Sequence, residues 1–231
     1  QWQFINKHLS DYPLQERNGK TVFRYTEKGC DWWDGNTLGI QHIYPAGQIG
    51  LNSDPKLLEV AYNTVDEMQR WLDSNGSNSF FPAAVRIGYK PDSILVHLNT
   101  YSKHTYPNGF QLNNPHGIEN WSTVPNTINE MLCMGHQDIV RVFPVWPRGK
   151  DASFHQIRVE GAFLVSGEQK GGAVTSLTLV SEKGRDLTLQ NPWKGKKVEI
   201  TDPVAGKRTV DGDFIKMKTE AGQTYRFAMG K

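Results

Sequence analysis

"INEMLCMGHQDIVRVFPVWP", residues 128–147, contains the point at which the chain changes its period. Leading into it, Val124, Ile128, Met131 and Leu132 share one face of a helix, and Gly135 follows as a stop. From about residue 139 the pattern alternates instead: "IVRVFPVW", "FHQIRVEGAFLVSGEQ", "AVTSLTLVSE", "DLTLQN", "KKVEITD", "DFIKMKTE" and "QTYRFAM" each place apolar and polar residues in turn. Glycine-containing turns, "EKGR", "AGKR" and "EAGQ", separate them. The seven stretches predict an antiparallel β-sandwich over 139–231, preceded by a helical domain over 1–138.

Upstream, "SDPKLLEVAYNTVDEMQRWLDS" (53–74) opens with a Ser or Asp cap and a Pro in the first turn. It then spaces Leu57, Leu58, Ala61, Val65, Met68, Trp71 and Leu72 for an amphipathic helix. Two further helices are predicted over 79–89 and 92–103, separated at Pro91 with Asp92 as a cap, and another after Glu119. The first two-thirds of the chain therefore reads as helices joined by long polar loops. The charge shifts at a similar place: residues 1–143 hold 11 Lys and Arg against 14 Asp and Glu, and 144–231 hold 15 against 10.

The 231 residues carry a net charge of +2, with 37% hydrophobic and 22% charged residues. A charge that small, with no stripe of basic and aromatic residues, argues against a nucleic-acid partner. No apolar run approaches the roughly 20 residues a membrane span needs. Cys30 and Cys133 lie outside any zinc spacing, no HExxH occurs, and neither a Walker loop nor a dinucleotide fingerprint is present, so no metal or nucleotide cofactor is expected. The two thiols read as inert, with a single bridge between them as the alternative. The chain begins with Gln, which suggests a piece of a longer polypeptide.

Three loops collect groups that suit a sugar, whose C–H faces lie on aromatic rings and whose hydroxyls pair with amides and carboxylates. In "GCDWWDGNTLG" (29–39), Trp32 or Trp33 is a candidate ring and Asp34 a candidate hydrogen-bonding edge; alternatively the two Trp fill the core and the Asp residues cap turns. "IQHIYPAGQIG" (40–50) adds Gln41, His42 and Tyr44. "GFQLNNPHGIENW" (109–121) crowds Asn113, His116, Glu119 and Trp121 just ahead of a helix. A carboxylate at Glu119, in a first helical turn that favours the ionised form, suits general-base activation of water, and an ordinary N-terminal helix Glu is the competing reading.

Taken in order, "GIQHIYPAGQIG", "PDSILVHLNTY", "GFQLNN", "INEMLCMGHQDIVRVFPVWP" and "VEGAFLVS" resemble the C-terminal part of glycoside hydrolase family 95, the inverting α-L-fucosidases and their relatives. The resemblance runs from about residue 38 to 190 and is most specific over 109–147. It implies the C-terminal part of an (α/α)6 barrel followed by a β-sandwich, an oligosaccharide or glycan substrate, and export to the periplasm or the exterior. It further implies that the rest of the barrel, with the general acid, belongs to a preceding part of the same polypeptide.

The resemblance puts the family's base, an Asp, at Asn113, and an Asn cannot take a proton from water at neutral pH. Glu119, six residues on, is the candidate replacement. His42 falls on the family's pocket His, with Tyr44, Gln48 and Gln41 beside it. Two functions are expected from this: part of an inverting glycosidase, or a carbohydrate-binding protein that has lost its base.

Overall fold

A computed structural model of the chain describes residues 1–32 and 35–230. Trp33 and Asp34, both candidate sugar contacts, lie outside the described residues. The chain forms two compact units, residues 1–87 with 97–124, and residues 88–96 with 125–231. Six α-helices and a six-stranded antiparallel sheet make it a mixed α and β protein among the described residues.

The first unit opens with helix α1 (Trp2–Lys7) and a hairpin, β1 (Leu14–Arg17) and β2 (Lys20–Phe23), paired Arg17 to Lys20. The helical reading of this region missed the hairpin. Its signal is local: Asn18 and Gly19 both take positive φ, 48° and 75°, as a two-residue turn of this type requires. β2 packs on α2 (Pro55–Met68), where Phe23 N donates to Thr64 Oγ1 at 2.9 Å.

Helix α2 begins as predicted, with Asp54 Oδ1 accepting from the Lys56 and Leu57 amides and Pro55 in the first turn. It stops at Met68 rather than continuing to 74, because Gln69 turns left-handed at φ 48°. Trp71, spaced as if on the helix, is instead buried beyond its end. There it stacks on His97 at 4.3 Å and meets Phe80 and Phe81 edge-on. Helices α3 (Ser77–Arg86) and α4 (Pro91–Ser102) follow. The single helix expected after Glu119 is two: α5, one turn over Ile118–Trp121, and α6 over Thr123–Leu132.

The decisive stretch 128–147 also resolves differently from its pattern. After α6, β3 (Cys133–Met134) and β4 (Arg141–Val142) form a two-residue ladder, Val140 adds a parallel bridge to Leu189, and the strand ends where Phe143 adopts φ 52° ahead of Pro144. "IVRVFPVW" alternates, but it is a two-residue strand ending in a turn.

The remaining strands are β5 (Ala152–Val159), β6 (Phe163–Lys170), β7 (Ala173–Ser181), β8 (Leu187–Gln190), β9 (Val198–Asp202), β10 (Gly206–Val210), β11 (Phe214–Met217) and β12 (Gln223–Met229). "AGKR", read as a turn, lies largely in β10, which pairs with β9. The sheet runs β10-β9-β12-β7-β6-β5, and β8 with β11 forms a separate ladder. Alternate residues from both, Val165, Leu177, Leu179, Ile200 and Phe227 from the sheet and Leu187, Leu189 and Ile215 from the ladder, share one apolar core. The period-two pattern is thus the pattern of a sheet covered on one face.

Candidate functional site

The crowding of polar groups at 109–121 has a structural cause. Beyond Gln69, residues 69–76 form a tight turn in which Arg70 Nη2 pairs with Asp73 Oδ2 at 2.8 Å and Asp73 Oδ1 accepts from the Asn75 amide at 2.9 Å. The turn leaves the Ser74 carbonyl for other partners and the Asp73 carbonyl, which accepts from Ser77 Oγ at 2.8 Å, open to a second donor; the polar loop supplies both. Gln111 Nε2 donates to Asp73 O at 3.2 Å, while Asn114 Nδ2 and Asn120 Nδ2 donate to Ser74 O at 3.0 and 2.7 Å. Gln111 and Asn120 are wholly buried. A buried amide N–H left unpaired costs about 1–3 kcal/mol, so the bonds of Gln111 and Asn120 make these amides fasteners first.

Gly117 fits beneath them, since a Cβ there would lie 2.5 Å from Asn114 Nδ2. At the other end Trp121 Nε1 donates to Asn108 O at 3.1 Å, and Gly109, at φ +87°, leaves room for the indole edge. With Gln111, Asn114 and Asn120 used internally, Asn113, His116 and Glu119 stay exposed, and Trp121 keeps about half of its surface in solvent. Asn113 also lines an open depression with Gln69, Arg70, Leu72, Asp73 and Ser74. Four residues marked in the sequence, Asn113, His116, Glu119 and Trp121, are thus exposed along one loop, with Asn113 lining the depression. The structure adds Arg70 and Asp73, which were not marked, although "QRWLDSNGSNS" is itself a polar turn of the kind that carries function.

The helix dipole offered for Glu119 carries little, since α5 is four residues long. What the structure supplies for Glu119 is exposure beside fastened neighbours.

The second group, Gln41, His42 and Tyr44, has different surroundings. A 3-10 turn at Leu38–Ile40 leads into this loop. Gln41 is exposed; Tyr44, ahead of a cis bond to Pro45, lies under Arg86, whose guanidinium carbon is 4.5 Å from the ring centre. His42 is enclosed by Tyr12, 5.0 Å between ring centres, and by Phe23 at 4.4 Å edge-on. Its Nε2 is buried without a hydrogen-bond partner, and burial pushes the imidazole down to about 4, so the ring is neutral at pH 7. Tyr12 in turn donates to Gln48 Oε1 at 2.8 Å. Trp32, the other candidate ring, is half-buried with Arg17 4.4 Å above it.

Among the described residues no group of three or more His, Cys, Asp and Glu could hold a metal ion, and no helix is long and apolar enough to cross a membrane. Burial raises the Cys133 thiol to about 12, which makes it a poor nucleophile.

No family model matches the chain, and no curated protein matches it. Among solved structures it resembles Ara127N, a GH127 β-L-arabinofuranosidase from Geobacillus stearothermophilus T6, over 75% of this chain at 12% identity and a TM-score of 0.28. The chain covers 30% of that enzyme's length. The neighbour is thus a glycoside hydrolase, and at a TM-score of 0.28 the likeness carries no functional inference.

Proposed function

We propose that these residues are the C-terminal portion of a glycoside hydrolase, the closing part of an (α/α)6 barrel (1–138) with its β-sandwich (139–231), acting on α-L-fucosides or related α-L-galactosides with inversion. The observation that carries the reading is the division of labour in 109–121. Three amides fasten the loop to the 73–74 carbonyls, and a carboxylate, an imidazole, an amide and an indole are exposed to solvent along it, the amide of Asn113 at the depression. A loop built only to connect helices needs the fasteners but not that exposed set.

In this mechanism Glu119 takes a proton from water as the water oxygen attacks the anomeric carbon. The glycosidic oxygen leaves with a proton from an acid on the opposite side of the ring, roughly 6.5–9.5 Å from the base in inverting enzymes. That acid belongs to the preceding part of the polypeptide, which is the partner this chain requires; the enzyme is secreted or periplasmic and acts on an oligosaccharide or glycan. Asn113 contributes an amide to the hydroxyls, with His116 beside it and Trp121 as an apolar surface; Gln41, His42, Tyr44, Trp33 and Asp34 complete the proposed set of sugar contacts.

A non-catalytic carbohydrate-binding protein is the second reading, favoured by the amide at Asn113 where the resembling family carries a carboxylate. Hydrolysis of an α-L-fucoside by the natural polypeptide that carries these residues, with and without Glu119→Gln, decides between them. Turnover lost in the variant supports the enzyme, whereas sugar binding with no turnover in the parent supports the binder.

A further inference from the structure

We propose that Trp121 is the platform for a second sugar unit, one removed from the ring that Glu119 serves, so that the ligand is an oligosaccharide rather than a single sugar. The inference rests on the site proposed above. Its basis is the geometry of α5, a single turn over Ile118–Trp121.

Asn120 fixes the orientation of that turn: its side chain is wholly buried and bonded to Ser74 O at 2.7 Å. Trp121 is held at one edge. Its Nε1 is committed to Asn108 O at 3.1 Å, and a Cβ on Gly109 would come within 2.8 Å of Cδ1. The indole's single polar atom is thereby used, yet 53% of the residue remains exposed. What it offers outward is carbon surface of fixed orientation, which suits the C–H face of a pyranose and cannot read a hydroxyl. Ile118, 71% exposed and three residues earlier, lies on the same side of the turn and widens the apolar surface.

Glu119 is two residues from Trp121, about 200° around the helix axis, and residues at that spacing do not face each other. A sugar lying on the indole therefore does not present its own anomeric carbon to Glu119. The two groups serve successive units of one chain: the carboxylate takes the unit being released and the indole its neighbour.

The test is isothermal titration of the natural polypeptide with L-fucose and with a trisaccharide ending in α-L-fucose. Trp121→Ala is expected to weaken the trisaccharide about tenfold and to leave L-fucose within about twofold. Trp121→Phe, which keeps a ring, should recover most of the loss. Ile118→Ala, at an exposed position that folding does not depend on, should weaken the trisaccharide alone by about threefold, and it keeps the test decisive if Trp121→Ala unfolds. Equal weakening of both ligands would place the indole under the reacting unit and overturn the inference while leaving the site intact. Unchanged trisaccharide affinity in Trp121→Ala and Ile118→Ala would also overturn it. If the parent binds neither sugar, the proposed function fails and this inference fails with it.

Discussion

Two loops of the first unit draw on the same kinds of residue and put them to different uses. Segment 38–50 holds an imidazole, amides and a tyrosine, and so does the neighbourhood of 109–121. In the first, His42 is closed between Tyr12 and Phe23 and Tyr44 lies under Arg86. In the second, the imidazole of His116 and the carboxylate of Glu119 face water while three amides turn inward. A polar side chain's role in these loops follows from the partners its surroundings offer, and residue type does not decide it.

Glu119→Gln gives the sharpest break in that comparison. If the exposed group of 109–121 does chemistry, this isosteric change lowers kcat by roughly 10²–10⁴-fold in a hydrolysis assay, with melting temperature unmoved. An unchanged kcat removes Glu119 from the mechanism.

His42 tests the other loop. Its imidazole sits near 4 in the folded state against about 6.5 when unfolded, so between those values the unfolded chain binds more protons. Its contribution is complete above about pH 6.5 and is lost as pH falls toward 4, by about 3 kcal/mol. Urea unfolding at pH 7 and pH 4 should show that loss, and His42→Phe, which cannot charge, should show correspondingly less. Equal slopes in both proteins would mean that His42 is open to water when folded.

The fasteners and the exposed amide give the finest comparison. Asn120→Ala removes the bond to Ser74 O and leaves a gap in a buried site, at a cost of about 2 kcal/mol in unfolding free energy. Asn113→Ala, at an exposed position seven residues earlier, should change stability by less than about 0.5 kcal/mol. A similar loss at both positions would show that the loop has no such division.

Much of the fold is written locally. Asp54 and Pro55 announce α2, and the alternation in "AVTSLTLVSE" and "KKVEITD" announces β7 and β9. The failures have local causes too. Gln69 and Phe143 stop a helix and a strand by adopting positive φ, a conformation that no glycine marks at either place. The site was legible only as a concentration of polar residues. Nothing in "QLNNPHGIEN" tells Asn120 from Asn113, because the carbonyls that claim one and not the other belong to a turn some 40 residues away. Arg70 and Asp73 were passed over for the same reason, being read as the end of a helix.

Those long separations bear on the order of assembly. The three amide bonds that hold 109–121 join residues 38, 40 and 46 apart, and closing loops of that length costs about 3 kcal/mol of chain entropy before any bond offsets it. Helix α2 and the β1–β2 hairpin need only near neighbours. The loop is therefore set in place after the 69–76 turn exists, and it is expected to open ahead of α2. Backbone amides at 111–120 should exchange their protons ahead of those in α2. A saccharide that binds there should slow that exchange before it alters any other region, because it would be completing the last step of folding.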